Sequence, residues 1–264
     1  SIMHGLADLS FKYCTPIQSA VIEHTLSGGD ATGRAQTGTG KTAAFLITVL
    51  TRLLRDPKKI KKTASPRALI IAPTRELVLQ IADDCDVLSR HTGLNIVAVY
   101  GGMDYQKQLA RLVGRQVDIV VATPGRLLEH LEGDEVDLGD LEILVLDEAD
   151  RMLDMGFADD VLTIIGRCSP QRQSMLFSAT LHHKGLAGIT GPLLRDPQTL
   201  VINPIREQHP DIDHQILLSD EPEHKERQLA WLLENEPFEK ALVFTNTRER
   251  TVSLGSFLIG KGQR

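Results

Sequence analysis

Short apolar runs separated by helix-period segments constrain this chain more than any other feature of its sequence. Residues 68–72, 95–100, 118–122, 142–147 and 174–177 are each rich in Val, Ile or Leu and bounded by polar, Pro or Gly residues. Runs that are apolar on both faces of a strand suit a parallel sheet covered by helices on either side. Residues 75–90, 105–113 and 159–168 supply helical patterns between them. The alternation predicts an α/β domain with a mostly parallel sheet flanked by helices, whose ligands sit at the carboxyl ends of the strands.

The pattern changes near residue 203. Asn203-Pro204 and His209-Pro210 bracket a polar connection that reads as a linker over 204–212. Beyond it, 214–218 and 241–245 read as strands, and 221–234 and 247–258 as helices. The expected organisation is a first domain over 1–203 and a partial second domain over 213–264. With 264 residues, 42% hydrophobic and 24% charged, the chain has material for one large or two unequal globular domains.

The strongest local signal is Ala35-Gln36-Thr37-Gly38-Thr39-Gly40-Lys41-Thr42. Gly38 and Gly40 let the backbone curl so that several N–H groups point at a phosphate. Lys41 adds a point charge between the β- and γ-phosphates, and the Thr42 hydroxyl is a Mg²⁺ ligand type. The helix that begins there offers its positive dipole end. The general P-loop asks for Gly where this chain has Ala35, and the strand expected beneath the loop, Asp30-Ala31-Thr32-Gly33-Arg34, is less apolar than its neighbours.

A nucleotide site also needs a carboxylate at the end of a neighbouring strand, and the run ending in Asp147-Glu148 supplies one. Asp147 is placed to hold Mg²⁺ and Glu148 to orient or deprotonate an attacking water. Joined with the Gly-rich loop, this pair points to a P-loop NTPase.

Asp147-Glu148-Ala149-Asp150 spells the signature of the DEAD-box family of ATP-dependent RNA helicases, and other motifs follow in that family's order. Lys12-Tyr13-Cys14-Thr15-Pro16-Ile17-Gln18 resembles its Q motif, which implies that Gln18 reads adenine; Phe11 is placed to stack on the base. A carboxamide can match the donor and acceptor of that base edge. Pro73-Thr74-Arg75, Gly101-Gly102 and Thr123-Pro124-Gly125-Arg126 are similar to the family's RNA-contacting motifs. Their amides, hydroxyls, glycines and arginine forks suit phosphates and not base edges. Ser178-Ala179-Thr180 resembles the motif that couples ATP hydrolysis to strand separation, with Ser178 and Thr180 expected to bond the Asp147–Asp150 carboxylates. The resemblance implies a RecA-like fold with the beginning of a second RecA-like domain, ATP and Mg²⁺ as cofactors, and sequence-independent RNA binding. The residues at 13–18, 33–42 and 101–104 look most like a bacterial subgroup associated with RNA-degradation machinery.

The family's second domain carries an Ala-Arg-Gly-Asp type segment and a His-Arg-x-Gly-Arg type segment, and neither occurs within these residues. Because arginine fingers are worth on the order of 10³–10⁵ in rate, these residues alone are expected to bind nucleotide and hydrolyse it poorly. The family's aromatic residue upstream of the Q motif has no counterpart here, and Ser10 stands where the family has Gly. An alternative is a naturally short, non-enzymatic module that binds RNA or a protein partner.

The net charge of −6 rules out a broad positive field, so RNA binding must come from a local groove. The basic run at 57–62 reads as a solvated loop. Cys14, Cys85 and Cys168 are far apart and in no metal-binding spacing, which favours a reducing compartment. No stretch approaches the ~20 apolar residues of a membrane span. The expected location is cytoplasmic.

Overall fold

The computed structural model describes residues 2–9, 11–34, 40–57, 63–180, 185–201, 213, 215–237 and 239–262. The expected linker at 204–212 and most of the basic run lie outside those residues. The chain forms two compact units, Ser1–Arg206 and Glu207–Arg264.

In the first unit, α1 (Ile2–Asp8) and α2 (Pro16–Thr25) precede β1 (Ala31–Arg34), and α3 (Lys41–Arg55) leads to β2 (Ala68–Ile71). Alternation continues through α4 (Arg75–Ser89), β3 (Ile96–Val99), α5 (Tyr105–Val113), β4 (Ile119–Ala122), α6 (Pro124–Glu132) and β5 (Ile143–Leu146). Then come α7 (Ala149–Asp154), α8 (Ala158–Arg167), β6 (Gln173–Ser178), α9 (Leu186–Leu193) and β7 (Gln198–Val201). The strands pair in the order β3-β4-β2-β5-β6-β1-β7, and every pair is parallel. This is the helix-flanked parallel sheet that the apolar runs predict.

Side chains alternate across a strand, so each apolar run feeds two cores. Ile70, Val121, Val145 and Phe177 face one core with α2, α3 and α4. Leu69, Ile71, Val120, Leu144, Leu146 and Leu176 face the other, with residues of α5 to α9. Burial on both faces requires the continuous Val/Ile/Leu composition of β2, β4 and β5. Arg67, at the root of β2, is buried and ties the layers together. Its guanidinium pairs with both carboxylate oxygens of Glu142, at 2.6 and 3.1 Å, and donates to the carbonyls of Leu53 and Asp56.

The polar composition of β1 has a local cause. A Cβ on Gly33 would lie 2.5 Å from Cδ1 of Phe177, so glycine makes room for a ring that also packs on Phe45 at 5.4 Å. The Thr32 hydroxyl donates to Thr199 on the neighbouring strand, 3.2 Å away. Before the strand, the buried Asp30 carboxylate accepts from the backbone of Ser174 at 2.8 Å and of Arg195 at 2.7 Å. That strand beyond, β7, was not anticipated: Gln198-Thr199-Leu200-Val201 begins polar and pairs on one side only.

The second unit contains α10 (Pro222–Asn235) and α11 (Arg248–Gly260), close to the expected helices. The expected strands at 214–218 and 241–245 are corrected: their described residues, 215–218 and 241–245, carry no ladder. His214 lies outside the described residues. A strand exists by virtue of hydrogen-bonded neighbours, and two apolar runs by themselves make a marginal sheet. No helix among the described residues is long and apolar enough to cross a membrane.

Candidate functional site

The carboxyl ends of the parallel strands divide into two neighbourhoods. β1, β6 and β5 are adjacent in the sheet, and the Gly-rich loop, Ser178–Thr180 and Asp147-Glu148 follow them. β2, β4 and β3 form the other side, followed by Pro73–Arg75, Thr123–Arg126 and Gly101-Gly102. Strand order thus gathers residues distant in sequence onto one edge.

At the first neighbourhood, Ala35, Gln36, Thr37, Gly38 and Thr39 lie outside the described residues. Gly40 caps α3 with φ of 87°, a left-handed conformation that glycine adopts without strain. Lys41 and Thr42 open the helix, Lys41 buried and Thr42 partly exposed. Lys41 Nζ lies 3.1 Å from Asp147 Oδ1, with both side chains almost fully buried. Asp147 Oδ1 also accepts the Glu148 N–H at 2.9 Å, whereas buried Oδ2 has no hydrogen-bond partner among the described residues. Burial pushes the Asp147 carboxyl up from its ordinary range; Lys41 opposes the rise and the charge of Glu148 adds to it. A buried ion pair with one uncommitted oxygen is weak evidence for stability and better evidence for a ligand site.

Glu148 sits at φ 51° and ψ 50°, left-handed for a residue with a side chain, and caps α7. Strain of this type costs on the order of 1–3 kcal/mol and concentrates at functional positions. Glu148 Oε2 lies 3.3 Å from Nη1 of Arg151. Arg151 did not stand out in the sequence, although its place three residues along a helix from Glu148 is the available signal. Asp150 Oδ2 accepts from both the backbone N–H and the hydroxyl of Thr180, at 3.0 and 2.9 Å. Ser178 differs from expectation: its hydroxyl donates to the Thr180 carbonyl at 2.8 Å and not to a carboxylate.

Gln18 belongs to the same neighbourhood. Its Oε1 accepts the Thr15 N–H at 2.9 Å, completing a capping box at the start of α2, and its Nε2 donates to the Gly40 carbonyl at 3.2 Å. The carboxamide therefore links α2 to the end of the Gly-rich loop, with one hydrogen and one lone pair left over among the described residues. Phe11 is half-exposed nearby in sequence.

In the second neighbourhood, Thr74 caps α4 by accepting from Leu77 N–H at 3.3 Å. Exposed Arg75 places its guanidinium carbon 5.0 Å from the centre of the Tyr100 ring, and exposed Gly102 has φ of 82°. Pro124 begins α6 after Thr123, whose hydroxyl makes no cap bond, and Gly125 follows. Arg126 differs from Arg75 in being mostly covered, with Nη1 donating to the Met103 carbonyl at 3.0 Å. Tyr105, His130 and Glu135 beside it formed no recognisable motif.

Comparison with known proteins identifies the family. A family model described as DEAD/DEAH box helicase matches residues 15–189. The ATP-dependent RNA helicase RhlB of Pseudomonas aeruginosa is 48% identical over 253 residues, covering 94% of this chain and 63% of that protein. The ATP-dependent RNA helicase SrmB of Escherichia coli is 41% identical over 98% of this chain and 57% of its own length. This chain therefore spans less than two thirds of these curated relatives. Among solved structures, a hypothetical ATP-dependent RNA helicase from Sulfolobus tokodaii superposes with a TM-score of 0.69 at 31% identity, covering 97% of this chain and 71% of that one.

Proposed function

The chain belongs to the DEAD/DEAH box helicase family, and on that premise we propose that it is the ATP-binding core of an ATP-dependent RNA helicase. The observation that carries this reading is the buried Lys41–Asp147 pair with its uncommitted Asp147 Oδ2. A buried acceptor left without a partner is costly unless a ligand completes it.

Asp147 and Thr42 fit a Mg²⁺ ion by donor type, hard oxygens at the end of one strand and the start of one helix. When bound, the ion would neutralise charge on the β- and γ-phosphates. Lys41, already aimed at that centre, would share its ammonium between Asp147 and the phosphates. The amides at the start of α3 would receive the phosphate oxygens. Glu148, held in a strained conformation, would orient the attacking water and accept its proton. Gln18 would read adenine with its spare hydrogen and lone pair. Thr180, bonded to Asp150, would transmit a change at the carboxylates to β6.

Thr74, Arg75, Gly101, Gly102 and Thr123–Gly125 make up a phosphate-facing RNA edge, sequence-independent because none of these groups reads bases. Residues 1–203 form the ATP-binding domain in this reading and 213–264 part of a second. A cytoplasmic location and association with RNA-degradation machinery, the latter implied by the resemblance of residues 13–18, 33–42 and 101–104, belong to the same proposal.

The test is nucleotide binding and RNA-stimulated turnover in the protein translated from its full reading frame. Glu148→Gln should keep ATP binding and lower turnover by ~10²–10⁴, the usual worth of a general base. Equal use of GTP and ATP, or stimulation by duplex DNA alone, contradicts the proposal.

A further inference from the structure

We propose that Arg126 is a positioning residue and not a phosphate ligand: carried on a Tyr105–His130 stack, it fixes the turn at 101–103 so that the glycine backbone meets the RNA. The inference rests on the reading of this sheet edge as an RNA site.

The Arg126 side chain is only 13% exposed. One face of its surroundings is the Tyr105 ring, 5.7 Å from the guanidinium carbon and within cation–π range. Nε lies 2.9 Å from Glu129 Oε2, an ion pair without hydrogen-bond alignment, so a carboxylate already stands where a phosphate would compete. Nη1 donates one of its two hydrogens to the Met103 carbonyl at 3.0 Å. A charge-assisted bond to a backbone carbonyl fixes a loop; it does not advertise a free cation.

The platform beneath is itself locked. Tyr105 and His130 stack with centroids 4.4 Å apart and ring planes 18° from parallel. The Tyr105 hydroxyl donates to Glu135 Oε2, and His130 Nδ1 reaches the same oxygen at 2.7 Å. His130 is fully buried, and its Nε2 has no partner among the described residues, so Nδ1 carries the hydrogen given to Glu135. Arg126, Tyr105 and His130 thus form a column footed on one carboxylate.

The turn this column holds is open on the other side. A Cβ on Gly101 would meet nothing within 4 Å, and Gly102 is exposed. At the turn's entry, buried Gln108 grips Tyr100 in both directions, accepting its N–H at 3.1 Å and donating to its carbonyl at 2.8 Å. At its exit, Asp104 caps α5 through Lys107 N–H at 2.8 Å. Both of those contacts are local to the β3–α5 connection. The β3–β4 ladder and the Thr123 N–H donated to the Val99 carbonyl at 2.9 Å join the strand ends, and the Arg126 bond to Met103 extends that tie from the neighbouring motif to the turn itself.

Salt dependence separates the two roles. Losing a direct contact to a single-stranded phosphate lowers the slope of log K against log salt by ~0.7, whereas misplacing the turn lowers affinity with the slope kept. The experiment measures binding of a fluorescently labelled oligo-uridine to the full chain across a KCl series, with folding of each variant checked by thermal melting. Arg75→Ala, at the exposed arginine, should lower both affinity and slope. Arg126→Ala should weaken binding by roughly tenfold, the loss expected of one charge-assisted bond, at unchanged slope. Tyr105→Phe, which keeps the ring but loses the bond to Glu135, should bind more weakly than the parent and more tightly than Tyr105→Leu. Tyr105→Leu should fall to the level of Arg126→Ala, and the double variant no further; this pair decides the matter should Arg126→Ala fail to fold. An Arg126→Ala slope that drops as Arg75→Ala does, or a Tyr105→Leu variant that binds normally, overturns the positioning role alone. Normal affinity and slope in Arg75→Ala would instead bring down the RNA-edge reading and this proposal with it.

Discussion

Leu69, Ile70 and Ile71 in the first unit are fully buried, whereas Ile216 and Leu218 in the second are 88% and 86% exposed, although the two runs read alike in sequence. The same contrast separates Phe177, packed between Gly33 and Phe45, from Phe244, 86% exposed. Apolar composition states what a strand needs, and neighbouring strands and helices decide whether the need is met. In the first unit each of β2, β5, β6, β4 and β1 has a partner on both sides. In the second, α10 and α11 form from local propensity and caps, as Thr247 accepting from Arg250 N–H shows, while the extended run that precedes each carries no ladder among the described residues. Helices are the local part of an α/β fold and sheets the non-local part.

The contrast is open to direct attack. Phe177→Ala should cost about 3–5 kcal/mol by emptying a fully buried site against Gly33, while Phe244→Ala should fall within about 0.5 kcal/mol. Urea unfolding of the two variants checks this, and equal losses would break the comparison. A smaller difference is expected between ion pairs. Arg67→Met removes a buried guanidinium with four backbone and carboxylate bonds and should cost about 2–3 kcal/mol. Arg250→Met, at a partly exposed pair with Glu226, should cost about 0–1 kcal/mol. Double-mutant cycles with Glu142→Gln and Glu226→Gln would sharpen the assignment.

The smallest effect is expected at alkaline pH. The hydrogen bond Tyr105 donates to Glu135, aided by burial and by that carboxylate's charge, pushes its phenol from 10.0 up to about 12. Between those values the folded state holds a proton that the unfolded state has released, so stability falls as pH rises through that window. Tyr105→Phe should flatten this part of the stability profile, measured as melting temperature against pH. An unchanged slope in the variant would show that the hydroxyl is not engaged as described.

Much of the first unit was legible because its motifs follow apolar runs directly, where Gly40, Gly102, Pro124 and Thr74 punctuate the turn from strand to helix. What local sequence does not carry is relational. β7 is an edge strand with a polar start, and its place beside β1 follows from Asp30 and Thr32 meeting groups more than a hundred residues away. Gln18 reads in sequence as the adenine-reading carboxamide of a Q motif, yet its bond from α2 to the Gly40 carbonyl shows only in the fold. Ser178 bonds the carbonyl of Thr180, while the Thr180 hydroxyl bonds Asp150. In the Arg126–Tyr105–His130 column, Arg126 and His130 are four apart on α6, but no spacing rule brings Tyr105 of α5 to them.

Hydrogen exchange of residues 1–264 with and without ATP and Mg²⁺ tests the central claim most directly, because it reads both units in one experiment. The account predicts new protection at 40–42, 147–148 and 178–180 and around Gln18, with rapid exchange at 215–219 and 241–245 unaffected by nucleotide. Protection confined to the second unit, or none near Lys41 and Asp147 at saturating ATP, would contradict it.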